Sequence, residues 1–231
     1  MKKVTIISAM HGDEVYGIEL FKQFTSAFPE LKSYVQLIVG NEEAYRQQKR
    51  FIDVDMNRHY RVGDDSYESG EIKRVDQLIK DFQPDYIIDI HTTRRNSGIF
   101  FISDTINARR RQIYDMLDID VCIMKDSVIK QSLIGNYPNA VSLEYSLASI
   151  SDTTTMTFIN SLRKLLIEEK GSVNNGHLYT ISKLITKQEW KRYNSLANYD
   201  LRPEGMALMV PKDISEMDAG YYGFWCTQTT N

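Results

Sequence analysis

The chain has 231 residues, 42% of them hydrophobic, and carries 28 Lys and Arg against 31 Asp and Glu for a formal charge of −3. That suffices for one large domain, or a medium domain with a small appendage, and no apolar run approaches the roughly 20 residues of a bilayer-crossing helix. Acids and bases mix along the chain, so no field of one sign is available to draw in nucleic acid, and neither nucleic acid nor membrane is expected as a partner.

In chain order, Met1-Lys2-Lys3 resembles the charged start of an export signal, but the apolar run behind it is too short and fits a first buried strand better. Lys3 to Ser8 is compact and β-branched, and the spacing after it predicts a helix over Val15 to Phe24. Tyr34 to Gly40 repeats the strand signal. Ser69 to Phe82 predicts a helix carrying Ile72, Val75, Leu78 and Ile79, and Asp85 to Ile90 a buried strand opened by Pro84.

Further strands are predicted at Gly98 to Ser103, Asp120 to Lys125 and Ala140 to Tyr145, with a helix at Ala108 to Leu117 between the first two. Within that helix Arg109-Arg110-Arg111 reads as a solvated face. Such alternation predicts an α/β fold with a mostly parallel mixed sheet flanked by helices. The helix from Asp152 to Lys170 has the clearest period, with Phe158, Ile159, Leu162, Leu165 and Leu166 on one stripe and Gly171 to stop it. Composition turns polar over Gly171 to His177, which divides a main domain at 1–170 from a small, mainly β unit at 177–231. Apolar pieces at Leu178 to Ile181, Met206 to Val210 and Tyr221 to Cys226 supply that unit's strands. Cys122 and Cys226 are too few and too far apart for a disulfide framework or a zinc ribbon, and read as reduced thiols of a cytoplasmic protein.

His11-Gly12-Asp13-Glu14 sits where a strand hands over to a helix, and the i, i+3 spacing lets imidazole and carboxylate reach one metal. Alone, that match is weak, because an acidic helix start is favoured by the dipole anyway. Asp89-Ile90-His91-Thr92-Thr93 puts a second histidine just after a buried strand, where α/β proteins build their sites. Two histidines and a glutamate leave an open position, the arrangement of catalytic zinc. Asp89 would face the same way as His91 only if the strand persisted that far, and is given no role. His59 and His177 read as structural or exposed.

These two blocks, with Arg50-Phe51-Ile52-Asp53-Val54-Asp55-Met56-Asn57-Arg58 between them, resemble the succinylglutamate desuccinylase and aspartoacylase family of zinc carboxypeptidase-like hydrolases. The resemblance covers the chain to about Glu144, with a weaker match near Tyr221. It implies one Zn²⁺ per chain on His11, Glu14 and His91, an oxyanion-stabilising Arg50, and a substrate-carboxylate clamp of Asn57 and Arg58. It also implies Glu144 as general acid/base and Tyr221 as a substrate-binding tyrosine. The implied reaction is cleavage of the amide of a small N-acyl amino acid, and a homo-oligomer is left open.

Departures accompany the match. Tyr145-Ser146-Leu147 stands where the aspartoacylase pattern continues with Gly-Pro-Gln, and a second substrate-binding arginine expected before Glu144 falls among Leu133, Ile134 and Gly135. Lys130 is a weak candidate to replace that charge. Competing readings are a metallocarboxypeptidase acting on a peptide C-terminus, and an inactive binding module on the same fold.

Overall fold

The structure, a computed structural model, describes residues 1–94, 97–117, 119–124, 127–167, 176–193, 201–203, 205–208 and 223–229. In chain order its elements are β1 (Val4–Ser8), α1 (Tyr16–Ala27), β2 (Val35–Val39), α2 (Glu42–Gln47), α3 (Tyr67–Phe82), β3 (Tyr86–Thr93), β4 (Ile99–Ser103), α4 (Ala108–Tyr114) and β5 (Asp120–Met124). There follow α5 (Ser127–Lys130), β6 (Ala140–Ser146), α6 (Asp152–Leu166), β7 (Leu178–Leu184), α7 (Lys187–Arg192), β8 (Leu201–Arg202), β9 (Gly205–Leu208) and β10 (Phe224–Thr229).

All the strands join one mixed sheet in the order β2-β1-β3-β6-β4-β5-β7-β10-β9-β8. Pairing is parallel from β2 through β6 and again from β4 through β7, with β4 antiparallel to β6. The α/β, mostly parallel sheet read from the periodicity is what the chain adopts. β1 and β3 are buried along their whole length, as parallel strands covered on both faces must be.

Alternation along the strands builds two cores. One face of β3 sends Tyr86, Ile88 and Ile90 toward Leu20 and Phe24 of α1 and Phe158, Ile159 and Leu162 of α6. The other sends Ile87 toward Ile72, Val75 and Ile79 of α3 and Ile129 of α5. Asp89 and His91 belong to this second face by the period of two. The helix stripe read at Phe158 to Leu166 does pack on the sheet. Ser151 and Thr154 close a capping box at the start of α6, with Asp152 in its first turn and Arg163 and Lys164 in its last, which suits the helix dipole.

Two expectations change. β3 runs through His91 to Thr93, past the predicted end at Ile90, because polar side chains at the strand's carboxyl end find partners there. Arg110 is 1% exposed rather than part of a solvated face. Its guanidinium donates to the carbonyls of Ala140 (2.8 Å), Ile134 (2.8 Å) and Tyr137 (3.1 Å) and pairs with Asp104, so each donor is matched and burial is tolerated. The described strands after residue 177 continue the same sheet. β7 pairs parallel with β5, and β10 and β9 extend from it antiparallel. Cys122 and Cys226 are free, buried and within hydrogen-bonding reach of each other, which with burial pushes the Cys122 thiol's pKa up. Most of the predicted boundary at 171–177 lies outside the described residues, as do 168–170 of the predicted α6.

Leu162 is fully buried between α6 and the sheet. Leu162→Ala is expected to lower unfolding free energy by about 2–5 kcal/mol, from lost burial and the cavity left behind, as a reduced midpoint in urea.

Candidate metal centre

The turn after β1 is shaped by its own backbone. Ala9 adopts a left-handed φ of 56°, a conformation uncommon for a non-glycine residue. Its N–H donates to the Glu14 carbonyl (3.0 Å), the Ser8 hydroxyl donates to that same carbonyl (3.1 Å), and the Glu14 N–H returns to the His11 carbonyl (2.8 Å). The loop therefore folds back so that His11 and Glu14 face each other. Gly12 packs directly against the backbone of α2, where a Cβ would lie 2.1 Å from the Ala44 carbonyl carbon. Only glycine fits that approach, and its N–H donates to the Arg50 carbonyl (3.1 Å).

Because β1 and β3 are adjacent parallel strands, their carboxyl ends meet. Glu14 is 2% exposed, His11 6% and His91 4%. His11 Nδ1 lies 2.6 Å from Glu14 Oε1, His91 Nδ1 lies 2.9 Å from Glu14 Oε2, and the Thr92 N–H donates to Oε2 at 2.8 Å. One potential ligand atom from each of His11, Glu14 and His91 falls within 4.8 Å of the others.

Behind each imidazole stands a second carboxylate. Asp55 Oδ1 lies 3.1 Å from His11 Nε2, and Asp89 Oδ2 lies 2.8 Å from His91 Nε2. Each ring thus turns Nδ1 toward Glu14 and Nε2 toward an aspartate, the outer support that fixes tautomer and direction in histidine metal sites. Burial alone would depress the pKa of His91, but Asp89 and Glu14 outweigh it and lift the imidazole well above its ordinary value. Burial raises the Asp55 carboxyl, yet His11, then Arg58 and Arg50, hold it well below the usual carboxylate range. Two buried carboxylates, Glu14 and Asp89, and the half-buried Asp55 converge on two imidazoles, and Asp89 Oδ1 has no hydrogen-bond partner among the described residues, which fits a divalent cation held by His11, Glu14 and His91.

The loop from Arg50 to Arg58 is held over this cluster by Glu68, a fully buried residue in the first turn of α3. Its carboxylate accepts from the N–H groups of Ile52 (2.7 Å), Asp53 (3.1 Å) and Val54 (3.2 Å) and from Asn41 Nδ2 (2.9 Å). Asp55 caps the following turn through the Asn57 N–H at 2.9 Å. So held, Arg50 places Nη1 3.6 Å from Glu14 Oε1 and Nη2 3.5 Å from Asp55 Oδ2. The Asn57 amide reaches His91 Nε2 at 3.0 Å, and Arg58 donates to the Asn57 carbonyl at 3.0 Å.

Glu144 arrives from β6, directly beside His91 in the parallel register, so both side chains share one face of the sheet. A cavity of about 110 Å³ is lined by His11, Glu14, Arg50, Asn57, Arg58, His91 and Glu144 together. Every described residue singled out for the site is therefore in one place, and Tyr221 lies outside the described residues. His59, close to Asp64 (2.9 Å), and the exposed His177, 3.4 Å from Asp120, stand apart, and Lys130 is exposed. Asp55 and Glu68 carry no signal in the sequence reading, and Asp89 is weighed there but given no role. For Asp89 the stated condition is met, since β3 continues through His91 and puts the two on one face.

A sequence model of the succinylglutamate desuccinylase/aspartoacylase catalytic domain matches residues 1–165. A probable aspartoacylase of Trichodesmium erythraeum is 34% identical over 115 residues, covering 44% of this chain and 39% of that protein. One from Prochlorococcus marinus is 31% identical over 110 residues, 42% of this chain and 36% of that protein. The matched stretch spans less than half the length of these curated relatives. Among solved structures, the succinylglutamate desuccinylase of Chromobacterium violaceum superposes with a TM-score of 0.73 at 16% identity, covering 100% of this chain and 86% of that one. Murine aminoacylase 3 gives 0.69 at 16% identity over 99% and 95%. At such identities the likeness is one of fold.

Asp89→Asn keeps the side chain's shape but weakens its hold on the imidazole. It is expected to lower metal affinity by about 10–100-fold, read by competition with a chelator, with the thermal unfolding of the metal-free protein little changed.

Proposed function

The chain belongs to the succinylglutamate desuccinylase/aspartoacylase family, and from that premise we propose that it is a zinc-dependent hydrolase of the amide bond in an N-acyl amino acid. What carries the proposal is the convergence of His11, Glu14 and His91 with Arg50, Asn57, Arg58 and Glu144 around one cavity. When bound, zinc would supply Lewis acidity toward an amide carbonyl and toward water.

The chain's own groups then divide the work. Glu144, beside His91 on the neighbouring strand, takes a proton from the attacking water as the C–O bond forms and delivers it to the nitrogen as the C–N bond breaks. Arg50, with a fixed positive charge at the mouth of the ligand cluster, stabilises the oxyanion that develops in between. Arg58 and the Asn57 amide hold the substrate's free carboxylate and orient the scissile bond. The Asn57 side-chain amide lies 3.0 Å from His91 Nε2, which holds it at the edge of the ligand cluster. Tyr221 is retained as a substrate contact. A division into a unit at 1–170 and a β-rich unit at 177–231 that closes on it is also proposed, the two sharing one continuous sheet.

In the zinc-loaded protein, Glu144→Gln should keep bound metal and fold while kcat falls by about 10²–10⁴-fold on any N-acyl amino acid the wild type cleaves. Undiminished turnover in that variant would remove Glu144 from the chemistry.

A further inference from the structure

Beyond the Arg50–Arg58 loop and the ligand cluster, the cavity changes character. Moving across the sheet from His91 on β3, the register passes Ser142 and Glu144 on β6 and reaches Ile102 on β4 and Met124 on β5. Ile129 of α5, Ile134 and Phe224 of β10 complete this wall. All five apolar residues are buried and belong to one continuous core cluster, so packed hydrocarbon rather than water backs the wall. Among the described residues the polar groups on it are the hydroxyls of Ser132 and Ser142, and Ser132 Oγ already donates to the Ile129 carbonyl at 2.7 Å.

Charge in the cavity is distributed accordingly. Among the described lining residues the arginines are Arg50 and Arg58, both on the loop, and Arg50 already faces Glu14 and Asp55. A carboxylate pressed against the apolar wall would lose its water without gaining a described partner, whereas an alkyl group there would shed water favourably. The Ile134 segment of the wall is anchored, because buried Arg110 donates to the Ile134 carbonyl at 2.8 Å and ties that segment to β6 through Ala140.

We propose that this site selects N-acyl amino acids whose arm opposite the clamped carboxylate is uncharged and apolar, rather than acidic, with Ile102, Met124, Ile129, Ile134 and Phe224 as the selecting surface. The inference rests on the deacylase function proposed above. An aliphatic acyl group and an aliphatic amino-acid side chain share this chemistry, and either can occupy the wall.

The test uses the zinc-loaded full chain and two matched pairs, N-acetyl-L-leucine against N-acetyl-L-aspartate and N-butanoylglycine against N-succinylglycine. Each compound is measured for kcat/KM and, by calorimetry on Glu144→Gln protein, for binding. The apolar member of at least one pair is expected to exceed its acidic partner by at least about tenfold, and the pair that shows it tells whether the arm is side chain or acyl group. Equal or better handling of the acidic member in both pairs overturns the selectivity while leaving the hydrolase intact. Absence of turnover with every compound overturns the deacylase function instead. In that case the calorimetry decides the wall's role, tighter binding of an apolar member upholding it and equal, weaker or no binding refuting it. Ile134→Arg, checked for native fold by circular dichroism, should narrow the preference by about tenfold or more, and a folded variant with an unchanged ratio also counts against the wall.

Discussion

The site depends on the buried carboxylate of Glu14, which meets an imidazole on each oxygen and the Thr92 N–H besides. A carboxylate with 2% exposure is costly unless its hydrogen-bonding capacity is filled. Here it is filled from two strand ends that are neighbours only because β1 and β3 pair in parallel. The same constraint explains the turn after β1, where Ala9 takes up a left-handed backbone and Gly12 lets α2 approach to contact. Backbone strain at Ala9 is offset by the hydrogen bonds the turn closes on itself.

A second tier of carboxylates converts this junction into a directed site. Asp55 and Asp89 orient the two imidazoles, while Glu68 gathers three successive backbone N–H groups of the Arg50–Arg58 loop. Loop residues otherwise free to wander are thereby held on helix and strand supports, as electrostatic catalysis demands of groups that must not reorganise during reaction. Arg110 does a related job on the other side of the cavity, fixing the segment that carries Ile134. The cavity consequently has a charged, loop-built side and an apolar, sheet-built side.

How much of this could be read from the chain follows from the range of each interaction. β1, β3 and α6 are legible because a buried strand or an amphipathic helix writes its environment into its own period. His11, Glu14 and His91 stand out because polar residues at the ends of apolar strands need a reason to be there. Asp55, Glu68 and Arg110 do not, because an acid in a loop, an acid in a first helical turn and an arginine in a basic run are all ordinary on a surface. Only tertiary contact reveals that Glu68 and Arg110 are buried and matched donor for acceptor. The C-terminal strands were recognisable as β but not as extensions of the main sheet, since edge pairing leaves little trace in a short apolar run.

Metal content by elemental mass spectrometry, comparing wild type with His91→Ala after exposure to zinc and removal of excess, bears most directly on the centre at the heart of this account. The proposed zinc site of His11, Glu14 and His91 predicts about one zinc per chain in the wild type and loss of most of it in the variant. A wild-type protein that takes up no zinc, or a His91→Ala variant that retains a full complement, would contradict it.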